Sequence, residues 1–190
     1  MFEFFTHFCD MKLSIFVLAL ITSFNGFSQS LPSKKEIYDL ADQFIYGTDS
    51  TKVILSKHSD EWGIYQDTSA ILHDTTYFSE ADFAYFRLQL KGINNFKWDK
   101  GRFKNVQTIF RLKVKWIFRN HGKGWKRFHE KYPKMCLRSS SVPLFNSDKN
   151  YCVFYQGIQC GGLLGQGSTN IYKLENGKWI YVDSYGMWVS

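Results

Sequence analysis

Residues 151–190 constrain the fold more tightly than any other stretch of the chain. Asn176-Gly177 is the favoured pair for a two-residue hairpin turn, whose central positions both take positive φ. Runs rich in β-branched and aromatic residues flank it at 169–174 and 178–189, with a break expected at Tyr185-Gly186. A third such run occupies 151–159. The glycine-rich segment 161–167 that follows it reads as a loop of tight, positive-φ backbone. The chain is therefore expected to close in an antiparallel meander.

Upstream, two helices are marked by their caps. Ser33 and Glu36 form a capping box, and Ile37, Leu40, Ala41 and Phe44 follow at helical spacing until Gly47, which predicts a helix over 34–46. Ser79 and Asp82 form a variant of the same box. Phe83, Phe86 and Leu90 continue the pattern, and Gly92 ends a helix over 79–92. Residues 51–55 read as a strand, and the irregular segment 58–76 is assigned a short strand at 69–72. A third helix is expected over 124–132, where Trp125, Phe128, His129 and Tyr132 share one face and Pro133 stops the run. Residues 135–145 are extended, with Pro143 at an edge or bulge, and 146–150 has turn chemistry. The fold class is α+β: one domain over 29–190, with N-terminal helices packed on an antiparallel sheet that ends in the C-terminal β-meander.

Charge is concentrated in one block. The formal net charge is +7; residues 91–138 hold 15 Lys/Arg against 2 Asp/Glu, whereas 29–90 hold 5 against 10. Within the block, 106–118 alternates. Arg111, Lys113 and Lys115 fall on one side, and Phe110, Leu112, Val114 and Trp116 on the other, which predicts a half-buried antiparallel strand. Lys123, Lys126, Arg127 and Lys131 decorate the helix that follows. Brought together, these cations would attract an anionic partner such as a glycan or lipid head groups. The plainer reading is a solvated face, because charge on the outer side of an antiparallel strand is routine. Nucleic acid is not expected, since no recognition motif accompanies the charge.

The N-terminus carries an export pattern. Met11-Lys12 starts a basic head, 13–24 is almost wholly apolar, and Asn25, Gly26 and Ser28 are small or polar. The apolar run is too short to span a membrane, which needs about 20 such residues. A signal peptide is expected over 1–28, with Met11 as the initiator, and the mature chain is expected to be secreted or periplasmic without a transmembrane segment. Export implies an oxidising compartment. Three of the 4 cysteines then remain: Cys136, Cys152 and Cys160. No CxxC or CxxxH spacing is present, so neither a metal nor another cofactor is expected.

Five motifs follow in fixed order: Tyr132-Pro133, Ser139 through Phe145 (SSSVPLF), Cys160 through Gly167 (CGGLLGQG), Leu174 through Trp179 (LENGKW) and the terminal Trp188-Val189-Ser190. In these the chain resembles a family of uncharacterised secreted bacterial proteins with a CGxLCGxG loop, an ngkW hairpin and a C-terminal W-(I/V)-S. The resemblance covers 125–190 well and extends more weakly to 79–90 and Trp98. It implies export and a common fold unit, and no particular reaction. Leu164 stands where the family has its second loop cysteine, so no bond within the loop can form.

Cys160 must then pair elsewhere or stay reduced. Cys152 and Cys160 share a strand face but lie ~26 Å apart along it. If 136–145 and 151–160 pair about the 146–150 turn, positions summing to 296 face each other. Cys136 then meets Cys160, with Cys152 buried and free. Three buried thiols are the alternative. A nucleophilic Cys160 would need a histidine or a helix N-terminus beside it. None of His58, His73, His121 or His129 is tied to it by spacing, and the glycine segment leads into a strand, unlike a phosphate-binding loop. No catalytic residue is assigned. The expected function is a non-enzymatic envelope or binding module with a basic face; the alternative is a small exported hydrolase with its site near the Cys160 loop.

Overall fold

The computed structural model describes residues 30–47, 52–59, 70–71, 73–93 and 96–190. The leader expected over 1–28 lies outside them. Of the strand expected at 69–72, the two described residues, Ala70 and Ile71, are helical instead.

Helix α1, Lys34–Phe44, begins at a complete capping box: the Ser33 hydroxyl accepts from the Glu36 amide at 3.2 Å, and the Ser33 amide donates to Glu36 Oε2 at 2.7 Å. Helix α2, Glu80–Ile93, starts in the same way, with the Ser79 amide donating to Asp82 Oδ2 at 2.9 Å. The other Asp82 oxygen accepts from the amide and hydroxyl of Ser147, at 2.7 and 2.6 Å, so the cap also ties the helix to a distant turn.

The strands are β1 (Val53–Ser56), β2 (Val106–Ile109), β3 (Cys136–Ser140), β4 (Leu144–Phe145), β5 (Tyr151–Gly161), β6 (Leu164–Glu175) and β7 (Lys178–Val189). They form one sheet in the order β2-β1-β3-β5-β6-β7, with β4 also paired to β5. The C-terminal meander is antiparallel, as expected, but the other half is not: β1 runs parallel to both β2 and β3. Parallel neighbours need long crossovers, and here helices supply them. Two of those helices, α3 (Arg111–Phe118) and α4 (Gly124–Lys131), lie in mid-chain and not at the N-terminus.

Strand alternation divides the core. Leu55, Cys152, Phe154 and Tyr172 pack under α1, while Val153, Tyr155 and Ile171 turn the other way and meet Phe83 and Phe86 of α2. Ile54, Ile109 and Leu137 carry Ile117 of α3 and Phe128 of α4.

The strand expected over 106–118 is corrected: it stops at Ile109, and the basic stretch is helix α3. Alternation accounted for Phe110, Leu112, Val114 and Trp116 but left Ile117 and Phe118 as consecutive apolar residues. Helical spacing instead gathers Val114, Ile117 and Phe118 on the side that meets the core. Leu112 and Trp116 are left outside.

The segment 161–167 is also strand for most of its length. A two-residue turn, Gly162-Leu163, separates β5 from β6. Positive φ falls on Asn176 (50°) and Gly177 (75°) in the last hairpin, and on none of the glycines of this segment. Gly167 is required for a different reason: a Cβ there would come within 2.5 Å of the Trp188 indole nitrogen across the strand pair. The break expected at Tyr185-Gly186 is a bulge within a continuous β7, with Gly186 at φ 53°.

Candidate functional site

Helices α3 and α4 form a hairpin joined by a 3₁₀ turn, His121–Lys123. Rings lock the two together. Phe118 meets Trp125 edge-on at 5.0 Å between centroids, and Trp125 meets Phe128 at 5.4 Å. Gly124 lets them approach, since a Cβ there would fall 2.5 Å from the Phe118 ring. The Arg127 guanidinium donates to the Ile117 carbonyl at 3.0 Å, satisfying an orphan acceptor at the end of α3.

With its inner side fixed on the sheet, the hairpin turns its charge outward. Residues 111–134 contain nine Lys/Arg and one carboxylate, Glu130. None of the ion pairs among the described residues includes any of them. Arg111, Lys113, Lys115, Lys123 and Lys126 are exposed, and Arg127 is half-buried over Ile117. The helix rearranges the triple expected on one strand face. Arg111 and Lys115 stay together, one turn apart, while Lys113 moves to the other flank, its Nζ 5.8 Å from the Tyr132 ring centre. Between those flanks lie the residues that alternation placed in the core: Leu112 is 79% exposed and Trp116 55%. Arg119 stacks over the Trp116 ring at 5.2 Å.

The cationic surface continues onto β1. Lys57 Nζ sits 4.7 Å from the ring centre of the exposed Phe110. His58, bridged to Lys97 across a short antiparallel contact, is held below its ordinary pKa of 6.5, first by burial and then by Lys97, Arg111 and Lys57. It is therefore neutral at neutral pH and adds no acid/base pair. The carboxylates nearest to it in sequence, Asp60 and Glu61, lie outside the described residues.

Cys136 is bonded to Cys160, and the β3–β5 register (Leu137 opposite Gln159) obeys the sum of 296. Cys160 thus has no thiol with which to attack a substrate. Cys152 is free but fully buried, and burial pushes its thiol pKa well up. Among the described residues no three His, Cys, Asp or Glu side chains are placed to hold a metal ion.

One polar cluster was missed. Where α1 ends at Phe44, the sheet face beneath it changes from Cys152, Phe154 and Tyr172 to Arg138, Ser140, Gln156, Ser168 and Asn170. Arg138, Gln156, Ser168 and Asn170, with Gln166, line a cleft of about 270 Å³; Ser140 lies beneath it, buried. Arg138 Nη1 donates to the Phe44 carbonyl at 2.7 Å, and no ion pair among the described residues includes Arg138. Burial lowers its pKa. Arg138 Nε, Ser140 Oγ and Gln156 Nε2 are sealed from water without a hydrogen-bond partner. Each such orphan costs about 1–3 kcal/mol. The signal in the sequence was the alternate polar residues Gln166, Ser168 and Asn170, hidden because 161–167 reads as a loop. No protein-family model, curated protein or solved structure matches the chain.

Proposed function

We propose that this chain is an exported, non-enzymatic module of the bacterial envelope that docks on anionic lipid head groups through the α3–α4 hairpin. The observation that carries the reading is the outer side of α3, where Leu112 and Trp116 stand exposed one turn apart among cations that no carboxylate offsets. A helix with that pattern lies in the plane of a membrane interface, with apolar side chains in the acyl boundary and Lys/Arg at the phosphates. Each cation held near an anionic surface contributes about 1 kcal/mol. Burial of an exposed tryptophan and leucine adds about 25 cal/mol per Å² of apolar area. Leu112 beside Trp116 favours lipid over a glycan, which would stack on the tryptophan and leave the leucine in water. The export pattern at the N-terminus and the Cys136–Cys160 bond support a location outside the cytoplasm. The same bond leaves Cys160 without a thiol to offer the hydrolase alternative.

Co-sedimentation with vesicles tests the proposal. The chain should bind phosphatidylglycerol vesicles and not phosphatidylcholine vesicles, and Leu112→Ala with Trp116→Ala should weaken binding by at least tenfold. Equal binding to both lipids, or binding unaffected by that pair, would refute it.

A further inference from the structure

The hairpin does not use the cleft beyond the end of α1, which has a different chemistry. Its floor is one face of three strands. In register across them Gln156 lies beside Ser168, and Arg138 lies on β3 opposite Ile158. Ser168 donates to Asn170 Oδ1 at 2.8 Å, and Asn170 Nδ2 donates to Tyr172 Oη at 3.1 Å, so the β6 edge of the floor is already ordered. Ile158 and Met187 supply apolar contact at the rim.

Arg138 is the unusual member. A buried guanidinium ordinarily meets a carboxylate or phosphate, because an uncompensated charge in a low-dielectric site is unfavourable. Here the protein offers a single backbone carbonyl, bound by Nη1. The Nε atom, on the other edge of the guanidinium, has no acceptor, and neighbouring Gln156 and Ser140 also hold unpartnered polar atoms. An anchor for the end of α1 requires only the first of these contacts. The unpartnered Arg138 Nε and Gln156 Nε2 suit an acceptor from outside the chain.

We propose that this cleft binds a small hydroxylated carboxylate of monosaccharide size, a sugar acid. A carboxylate matches the free guanidinium edge in a planar, two-bond geometry. One cation sets the ligand charge at one. The amides and hydroxyls of Gln156, Ser168 and Asn170 fit ligand hydroxyl groups, and the apolar rim fits the face of a ring. A volume of about 270 Å³ admits one such unit and excludes an oligomer lying flat.

The test follows the Arg138 Nε–H resonance by NMR while the intact chain is titrated with D-glucuronate, D-glucose or inorganic phosphate. Glucuronate should shift the resonance saturably, with glucose and phosphate at least tenfold weaker. Gln156→Leu keeps Arg138 and its bond to Phe44, yet should weaken glucuronate at least tenfold. A resonance indifferent to all three ligands would leave Arg138 as a helix anchor and overturn the proposal. So would phosphate binding as tightly as glucuronate, or a Gln156→Leu variant with unchanged affinity.

Discussion

The hairpin and the cleft hold their cations in opposite ways. On α3 and α4 the charges are many, exposed and, except for Arg127, unbonded to the fold. In the cleft there is one, largely buried and bonded to the end of a helix. Exposed charges act together, at long range and subject to salt, so they fit an extended anionic surface. A buried charge acts alone, at short range and with defined geometry, so it fits one functional group. Counting lysines and arginines along the chain finds the first arrangement and passes over the second.

The largest expected effect falls on the seam between the two regions. The Cys136–Cys160 bond spans 24 residues and ties β3, beside the hairpin half, to β5 of the meander. Cys136→Ala with Cys160→Ala should destabilise the chain by about 3 kcal/mol in denaturant unfolding. Unchanged stability would mean that strand pairing alone joins the halves. Next comes the charge of the hairpin. Arg111→Gln, Lys115→Gln and Lys126→Gln together should lower affinity for phosphatidylglycerol vesicles by about a hundredfold, at roughly 1 kcal/mol per charge. Their effect on unfolding should stay within about 0.5 kcal/mol. A comparable loss of stability would erase the contrast with the cleft.

Arg138→Met gives a smaller effect of opposite sign. Replacing an uncompensated buried cation by an apolar side chain should leave the ligand-free protein as stable as before, or more stable by about 1 kcal/mol. A loss of about 2 kcal/mol in thermal unfolding would instead identify Arg138 as structural. The smallest effect is in pH. The folded pKa of His58 lies below 6.5, so its stabilisation is fully present above 6.5 and is lost as pH falls through the folded value. For Asp82, burial raises the carboxyl pKa, but hydrogen bonds from Ser147 and Ser79 outweigh it and hold the value below 3.8. Its contribution is present above 3.8 and is lost only as pH falls through that lower folded value. Hydrogen exchange on acidification should therefore loosen the C-terminal end of β1, beside the hairpin, before α2. The reverse order would contradict the assignment of these two groups.

What could be read in the sequence was what local rules govern. Ser33 and Ser79 announce their helices because a cap is decided within four residues. Asn176-Gly177 sets the last hairpin, and the turn at 146–150 fixes that 136–145 and 151–160 pair antiparallel; β4 next to it pairs at a sum of 297, and a one-residue shift across 141–143 gives β3 the 296 that brings Cys136 opposite Cys160. The parallel pairing of β1 was not legible, since its partners lie far along the chain and no turn sets their register. The stretch 110–118 misled because strand and helix patterns both fit its first half, and only Ile117 and Phe118 distinguish them. For the candidate site, the sequence disclosed the cations of the hairpin but not the outward turn of Leu112 and Trp116. Of the cleft only the alternation of Gln166, Ser168 and Asn170 was legible, because its residues come from different strands and meet only in the folded sheet.

The central claim is that the outer side of α3, and not the cleft, meets the membrane. An environment-sensitive dye attached at Leu112→Cys, and separately at Met187→Cys on the cleft rim, tests it directly; with Cys9 replaced by serine, the buried Cys152 and the bonded Cys136–Cys160 pair leave the new thiol as the reactive one. On phosphatidylglycerol vesicles the emission at 112 should shift to the blue while that at 187 stays unchanged. A blue shift at 187, or none at 112, would contradict the account.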